Sequence, residues 1–170
     1  MAPPLDTESP DPGPRFDRPP RVVAVLGCGT IGASWAEAFL GAGFEVQAWD
    51  PRAGFEQPLR TRLGRHADAL RGSQFVQESG PENAVLKADL FASIANALPA
   101  SAVVASSTST LMPSLLQQHC AFAPQLLVGH PFNPPHIIPL VEVIGGAHTS
   151  EQSIELAMQF YRAVGKHPIR

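Results

Sequence analysis

The chain predicts an α/β fold with a doubly wound, parallel sheet, and three observations predict it. Short apolar runs rich in β-branched residues alternate with segments of helical periodicity, the pattern of strands joined by crossover helices. The runs are apolar throughout, as strands covered on both faces must be. The first of them, "VVAVL", leads straight into a glycine-rich turn and then a helix.

Taken in order, residues 1–20 come first and hold seven prolines with no periodic apolar pattern. Proline at that density removes backbone donors, so this segment reads as a disordered leader. Asp6, Glu8, Asp11 and Asp17 argue against a mitochondrial transit peptide, and no apolar signal-peptide core is present. Residues 21–170 then read as one domain. "VVAVL" is a strand and "GCGTIG" the turn; "ASWAEAFLGAG" is a helix with Trp35, Ala38 and Phe39 on one face and Gly41 and Gly43 as its stop. "FEVQAW" is a second strand, ending in Asp50.

The stretch from 51 to 73 is shortened and the hardest to read. Arg60, Arg62, Arg65 and Arg71 among leucines suggest a short basic helix. "QFVQE" is a strand. "PENAVLKADLFASIANAL" is a helix, with Pro81 in the first turn and Leu86, Leu90, Ile94 and Leu98 recurring every four residues. "SAVVASSTST" is a strand running into hydroxyl residues, and "LMPSLLQQHC" a short helix or turn. "QLLVGH" and "LVEVI" are strands. "TSEQSIELAMQFYRAVG" is a helix, with Thr149 and Gln152 spaced as a capping box and Gly165 as the stop, and "KHPIR" opens another strand.

Composition narrows the function. With 170 residues, 44% hydrophobic, 16% charged and a net charge of −3, the chain lacks the basic field that a nucleic-acid partner requires. No apolar run approaches the roughly 18 residues of a membrane helix, so a soluble, cytoplasmic protein with a small-molecule substrate is expected. Cys28 and Cys120 form no CxxC pair, and the six histidines show no HxxxH or HExxH spacing, so no metal site is expected.

Gly27, Gly29 and Gly32 form G-x-G-x-x-G between strand and helix. The first permits the tight turn, the second lets a pyrophosphate approach the backbone, and the third lets helix and strand pack closely. With Thr30 and Ile31 they place a helix N-terminus against an anion. Asp50, 18 residues past Gly32, stands where a carboxylate binds ribose hydroxyls. An acid there favours NAD over NADP, although Arg52 stands close by. A dinucleotide domain of this kind also needs a group to take a proton while hydride leaves carbon, and histidine suits it. His130 ends a strand, where ligands bind in such sheets. Glu142, a charge within an apolar run, would be costly to bury alone; a short "NPPHIIP" turn would set it against the imidazole. Ser109, in "SSTST", is placed to donate to a substrate oxygen, or else to cap the strand end.

These motifs in order, "GCGTIG", "WD", "VQESGPEN", "ASSTST", "GHPFNPP" and "PLVEVIGG", resemble the 3-hydroxyacyl-CoA dehydrogenases and their relatives, from Val22 to the last residue. The resemblance implies His130 as catalytic base, Glu142 as its orienting partner and Ser109 on the substrate oxygen and nicotinamide. It further implies NAD contacts from Glu82, Lys87 and Asn133. The chain departs from the family in two places. The stretch after Asp50 is short, and the lysine and serine that contact coenzyme A in the family are not identifiable in it. The family's C-terminal helical domain, which carries the homodimer surface, is absent, which is consistent with a monomer. "GHPFNPP" and "SSTST" resemble the carnitine and gulonate branch, so small 3-hydroxy acids weigh equally with 3-hydroxyacyl-CoA. The competing readings are a non-catalytic NAD(H)-binding module and a lens-crystallin-like structural protein.

Overall fold

The computed structural model describes residues 21–52 and 69–170. The leader at 1–20 and residues 53–68, where most of the expected basic helix falls, lie outside the described residues. The strands are β1 (Val22–Leu26), β2 (Glu45–Trp49), β3 (Phe75–Glu78), β4 (Val103–Ser106), β5 (Leu126–Pro131), β6 (Leu140–Gly145) and β7 (His167–Ile169). The helices are α1 (Thr30–Gly41), α2 (Ala84–Ile94), the short α3 (Pro113–Leu116) and α4 (Glu151–Ala163).

The described strands form one sheet in the order β2-β1-β3-β4-β5-β6-β7. From β2 to β5 every pairing is parallel. The parallel expectation gives way at β6, which runs antiparallel to β5 because only a short loop joins them. β7 is parallel to β6. The chain leaves β1 to one side and returns to the other, so the crevice beyond the carboxyl end of β1 is the topological switch point.

Each face of the sheet carries its own apolar layer. On one, Trp35 and Phe39 of α1 meet Phe160 and Tyr161 of α4 over Phe75, whose ring stacks on Phe160 with centroids 3.8 Å apart. On the other, Phe91 and Ile94 of α2 pack with Leu26, Val76 and Phe122. Helix α1 ends as expected, with Gly43 at φ 86° supplying the left-handed turn.

Two helix readings need correction. α2 is capped by Asn83, whose side chain accepts from the Val85 and Leu86 amides, so Pro81 precedes the helix. Its buried face is Lys87, Phe91 and Ile94; Leu86 is exposed and, with Leu90, faces a cleft. α4 is capped by Ser150, whose side chain accepts from the Ser153 amide. Thr149 is drawn inward instead, donating to the Leu126 carbonyl at 2.6 Å and accepting from the Gly146 amide at 2.8 Å. The Leu126 carbonyl, which also accepts from the Gln117 side chain at 3.2 Å, outcompetes the capping box.

Candidate active site

Two cavities open beyond the carboxyl ends of the parallel strands, and Ser79 and Gly80 line both. The larger, about 760 Å³, is walled by Gly27, Gly29, Trp49, Asp50, Arg52, Leu86 and Leu90, among others. Gly27 sits at φ 88°, and a Cβ there would come within 2.7 Å of the Gly80 nitrogen. At Gly32 a Cβ would lie 1.8 Å from the Gly27 carbonyl oxygen, so helix and turn touch backbone to backbone. At Gly29 it would meet, among the described residues, only the Arg52 guanidinium, at 3.9 Å. Space is therefore kept clear at the second glycine, in front of the first turn of α1, which carries no acidic side chain. That cradle fits a pyrophosphate on the helix N-terminus. Ile31 lines the smaller cavity; Thr30 is exposed in the first turn.

Asp50 follows directly on β2, beside this cradle. Its Oδ2 accepts from the Cys28 amide at 2.7 Å and from Arg52 Nη2 at 2.9 Å, while Oδ1 accepts from Arg52 Nε at 2.8 Å and the Arg52 amide at 2.9 Å. The Arg52 hydrogen bonds, against the upward push of burial, hold the Asp50 carboxyl down at about 2. Burial, followed by the Asp50 charge, pushes the Cys28 thiol up to about 12, so it stays neutral and unreactive.

The smaller cavity, about 240 Å³, gathers Glu82, Ser107, Ser109, His130 and Asn133. His130 and Glu142 are directly opposed in the β5–β6 ladder, and His130 Nδ1 lies 2.8 Å from Glu142 Oε2. The carboxylate is not buried, as the sequence suggested; its side chain is 38% exposed, and the imidazole 26%. Glu82 Oε1 accepts from the Thr108 hydroxyl, the Ser109 amide, and the amide and hydroxyl of Thr110. Although burial pushes its carboxyl up, those hydroxyls and amides together hold it below the ordinary carboxylate value. Glu82 thus fixes the loop that presents Ser109.

Lys87 does not reach either cavity. Its side chain is 2% exposed and donates to both oxygens of the buried Glu78, at 2.7 and 2.8 Å, and to the Gly80 carbonyl at 3.2 Å. Glu78 Oε1 also accepts from the Gly80 amide at 2.6 Å. The pair grips both backbone groups of Gly80, the residue between the two cavities.

Three features escaped the sequence reading. Ser107, not Ser109, is the hydroxyl that binds Gln77, Ser79 and Trp35, at 2.8, 2.8 and 3.2 Å. His136 is fastened to α1, its Nδ1 2.7 Å from Ser34 Oγ and its amide donating to the same oxygen at 3.0 Å. Buried Lys166 donates to the carbonyls of Pro135 and Ile138. The hydroxyl run signalled the first; nothing local signals the others. Among the described residues no group of side chains is placed to hold a metal ion, and no helix is long and apolar enough to cross a membrane.

Comparison with known proteins agrees with this architecture. The family described as 3-hydroxyacyl-CoA dehydrogenase, NAD binding domain, matches residues 22–70 and 56–170. L-carnitine dehydrogenase from Nocardiopsis dassonvillei is 41% identical over 88% of this chain and 53% of its own length. A 3-hydroxyacyl-CoA dehydrogenase from Gibberella moniliformis is 38% identical over 88% of this chain and 54% of its own. Among solved structures, the NAD+-dependent FHMPC 5-dehydrogenase superposes with a TM-score of 0.82 at 28% identity, over 88% of this chain and 56% of that one. The chain spans about half the length of the curated relatives it matches. The glycine cradle at the switch point, the opposed histidine and glutamate and these matches together establish that the chain belongs to the NAD-binding domain family of the 3-hydroxyacyl-CoA dehydrogenases.

Proposed function

We propose that this chain binds NAD in the larger cleft and serves the oxidation of a secondary 3-hydroxyl to a ketone, on a 3-hydroxyacyl-CoA or a small 3-hydroxy acid. The observation that carries the reading is that His130, held by Glu142, lines the same cavity as Ser109 and Asn133. NAD, when bound, supplies the hydride acceptor. Gly27, Gly29 and Gly32 with the first turn of α1 hold its phosphates, and Asp50 faces the ribose. Glu142 engages Nδ1 of His130, which leaves Nε2 to take the substrate's hydroxyl proton. The carboxylate then sits beside the imidazolium that forms and stabilises it. Ser109 donates to the substrate oxygen; Asn133 and Glu82 flank it. Lys87 acts on the cofactor site through Gly80.

We place the protein in the cytoplasm, with a small-molecule substrate and no nucleic-acid or membrane partner. Residues 21–170 form its cofactor domain. The exposure of His130 and Glu142 favours a second reading, in which the chain binds NAD(H) but turns nothing over by itself.

NADH formation by the purified chain, offered L-carnitine, L-gulonate and a 3-hydroxyacyl-CoA separately, tests the proposal. One substrate should be turned over, and His130→Ala should lower the rate about 100- to 10,000-fold while NADH still binds. Silence with all three in protein that binds NADH would establish the second reading instead.

A further inference from the structure

The adenosine end of the larger cleft does not have the electrostatics of a simple acidic ribose site. Asp50 would reject a 2′-phosphate if its charge stood free. It does not stand free. Both of its oxygens accept from the Arg52 guanidinium, at 2.8 and 2.9 Å, in a bidentate pair that cancels the charge. The Asp50 side chain is 4% exposed and the Arg52 side chain 67%, so the buried half of the pair is the acid and the half that meets a ligand is the base.

Arg52 is also the only basic residue among the described residues lining this cleft, where the other charged residues are Asp50 and Asp89. Its Nη2 lies 3.9 Å from the position of a Cβ on Gly29, at the edge of the phosphate cradle. The guanidinium has five N–H donors. The Asp50 bonds use Nε and one Nη2 hydrogen, so among the described residues Nη1 and the other Nη2 hydrogen are left for a ligand.

We infer that Arg52 is the specificity-determining residue at the adenosine ribose, and that it lets the cleft accept a 2′-phosphorylated dinucleotide alongside NAD. The inference rests on the dinucleotide reading of the cleft. The fork that neutralises Asp50 offers its outer donors to a 2′-phosphate, and Asp50 holds the fork in place. With a 2′-hydroxyl instead, Arg52 turns aside on its exposed stem and Asp50 takes the hydroxyl.

Titration of the purified chain with NADH and with NADPH, followed by nicotinamide fluorescence, tests this. The wild-type Kd values should lie within about tenfold of each other. Arg52→Ala should raise the ratio of the NADPH to the NADH Kd about 10- to 100-fold, the worth of a charge-assisted contact to phosphate. Arg52→Lys, which keeps the charge and loses the fork, should fall between. A wild-type ratio beyond about 100, or a ratio that Arg52→Ala leaves within about twofold, overturns the inference and leaves NAD binding intact. Absence of binding by either nucleotide overturns the dinucleotide reading and this inference together. Arg52 is exposed, and far-UV circular dichroism checks that both variants keep the fold.

Discussion

Lys87 shows how a residue can hold the backbone between two cavities without lining either. Buried charges are tolerated when paired and hydrogen-bonded, and Lys87 with Glu78 meets both conditions under Gly80. Lys87→Met leaves a buried carboxylate without its counter-ion, so urea denaturation should show a loss of about 3–5 kcal/mol; pairing it with Glu78→Gln should restore most of that. Asp50 carries the acid sensitivity of the same region. Its carboxyl is depressed from 3.8 to about 2, first by the Arg52 hydrogen bond, so the stability it contributes is complete above about 4 and is lost as pH falls towards 2. Thermal melts across that window should show the loss, and Arg52→Ala should flatten it. The meeting of His130 with Glu142 was legible because a short turn joins their two apolar runs, and Ser109 because it follows a third. Lys166 and the Ser34–His136 clasp were not, because partners 28 to 102 positions apart give no local signal of meeting.

At the scale of elements, the β5–β6 ladder decides the geometry of the pair. Register opposes His130 to Glu142, and the period of two in a strand turns both side chains to one face. Gly129, next to His130, is a glycine for a different reason: a Cβ there would stand 2.0 Å from the Tyr161 hydroxyl and 3.1 Å from the Ala105 Cβ. Tyr161 in turn donates to Gln77, which donates to Ser107 and to the Gly129 carbonyl. Gly129→Ala should therefore displace Tyr161, cost about 1–3 kcal/mol in urea denaturation and weaken the near-UV tyrosine signal. The strands were readable from their apolar runs. The face of α2 was not, because a leucine every four residues signals a core stripe, and here Leu86 and Leu90 wall a cleft while a lysine faces inward.

Across the whole molecule, one sheet separates two apolar layers and couples them. Ile94 lies in one layer and Ile154 in the other. Ile94→Val and Ile154→Val should each cost about 1 kcal/mol in a single cooperative transition, and the double variant should lose the sum to within about 0.5 kcal/mol. The alternation of strand and helix made this architecture legible. The antiparallel turn at β6 was implied only by the brevity of the loop before it. Ser79 and Gly80 belong to the walls of both cavities. On the reading proposed above, a nucleotide settled in the larger space would border the smaller one. Filling one space should then alter binding in the other.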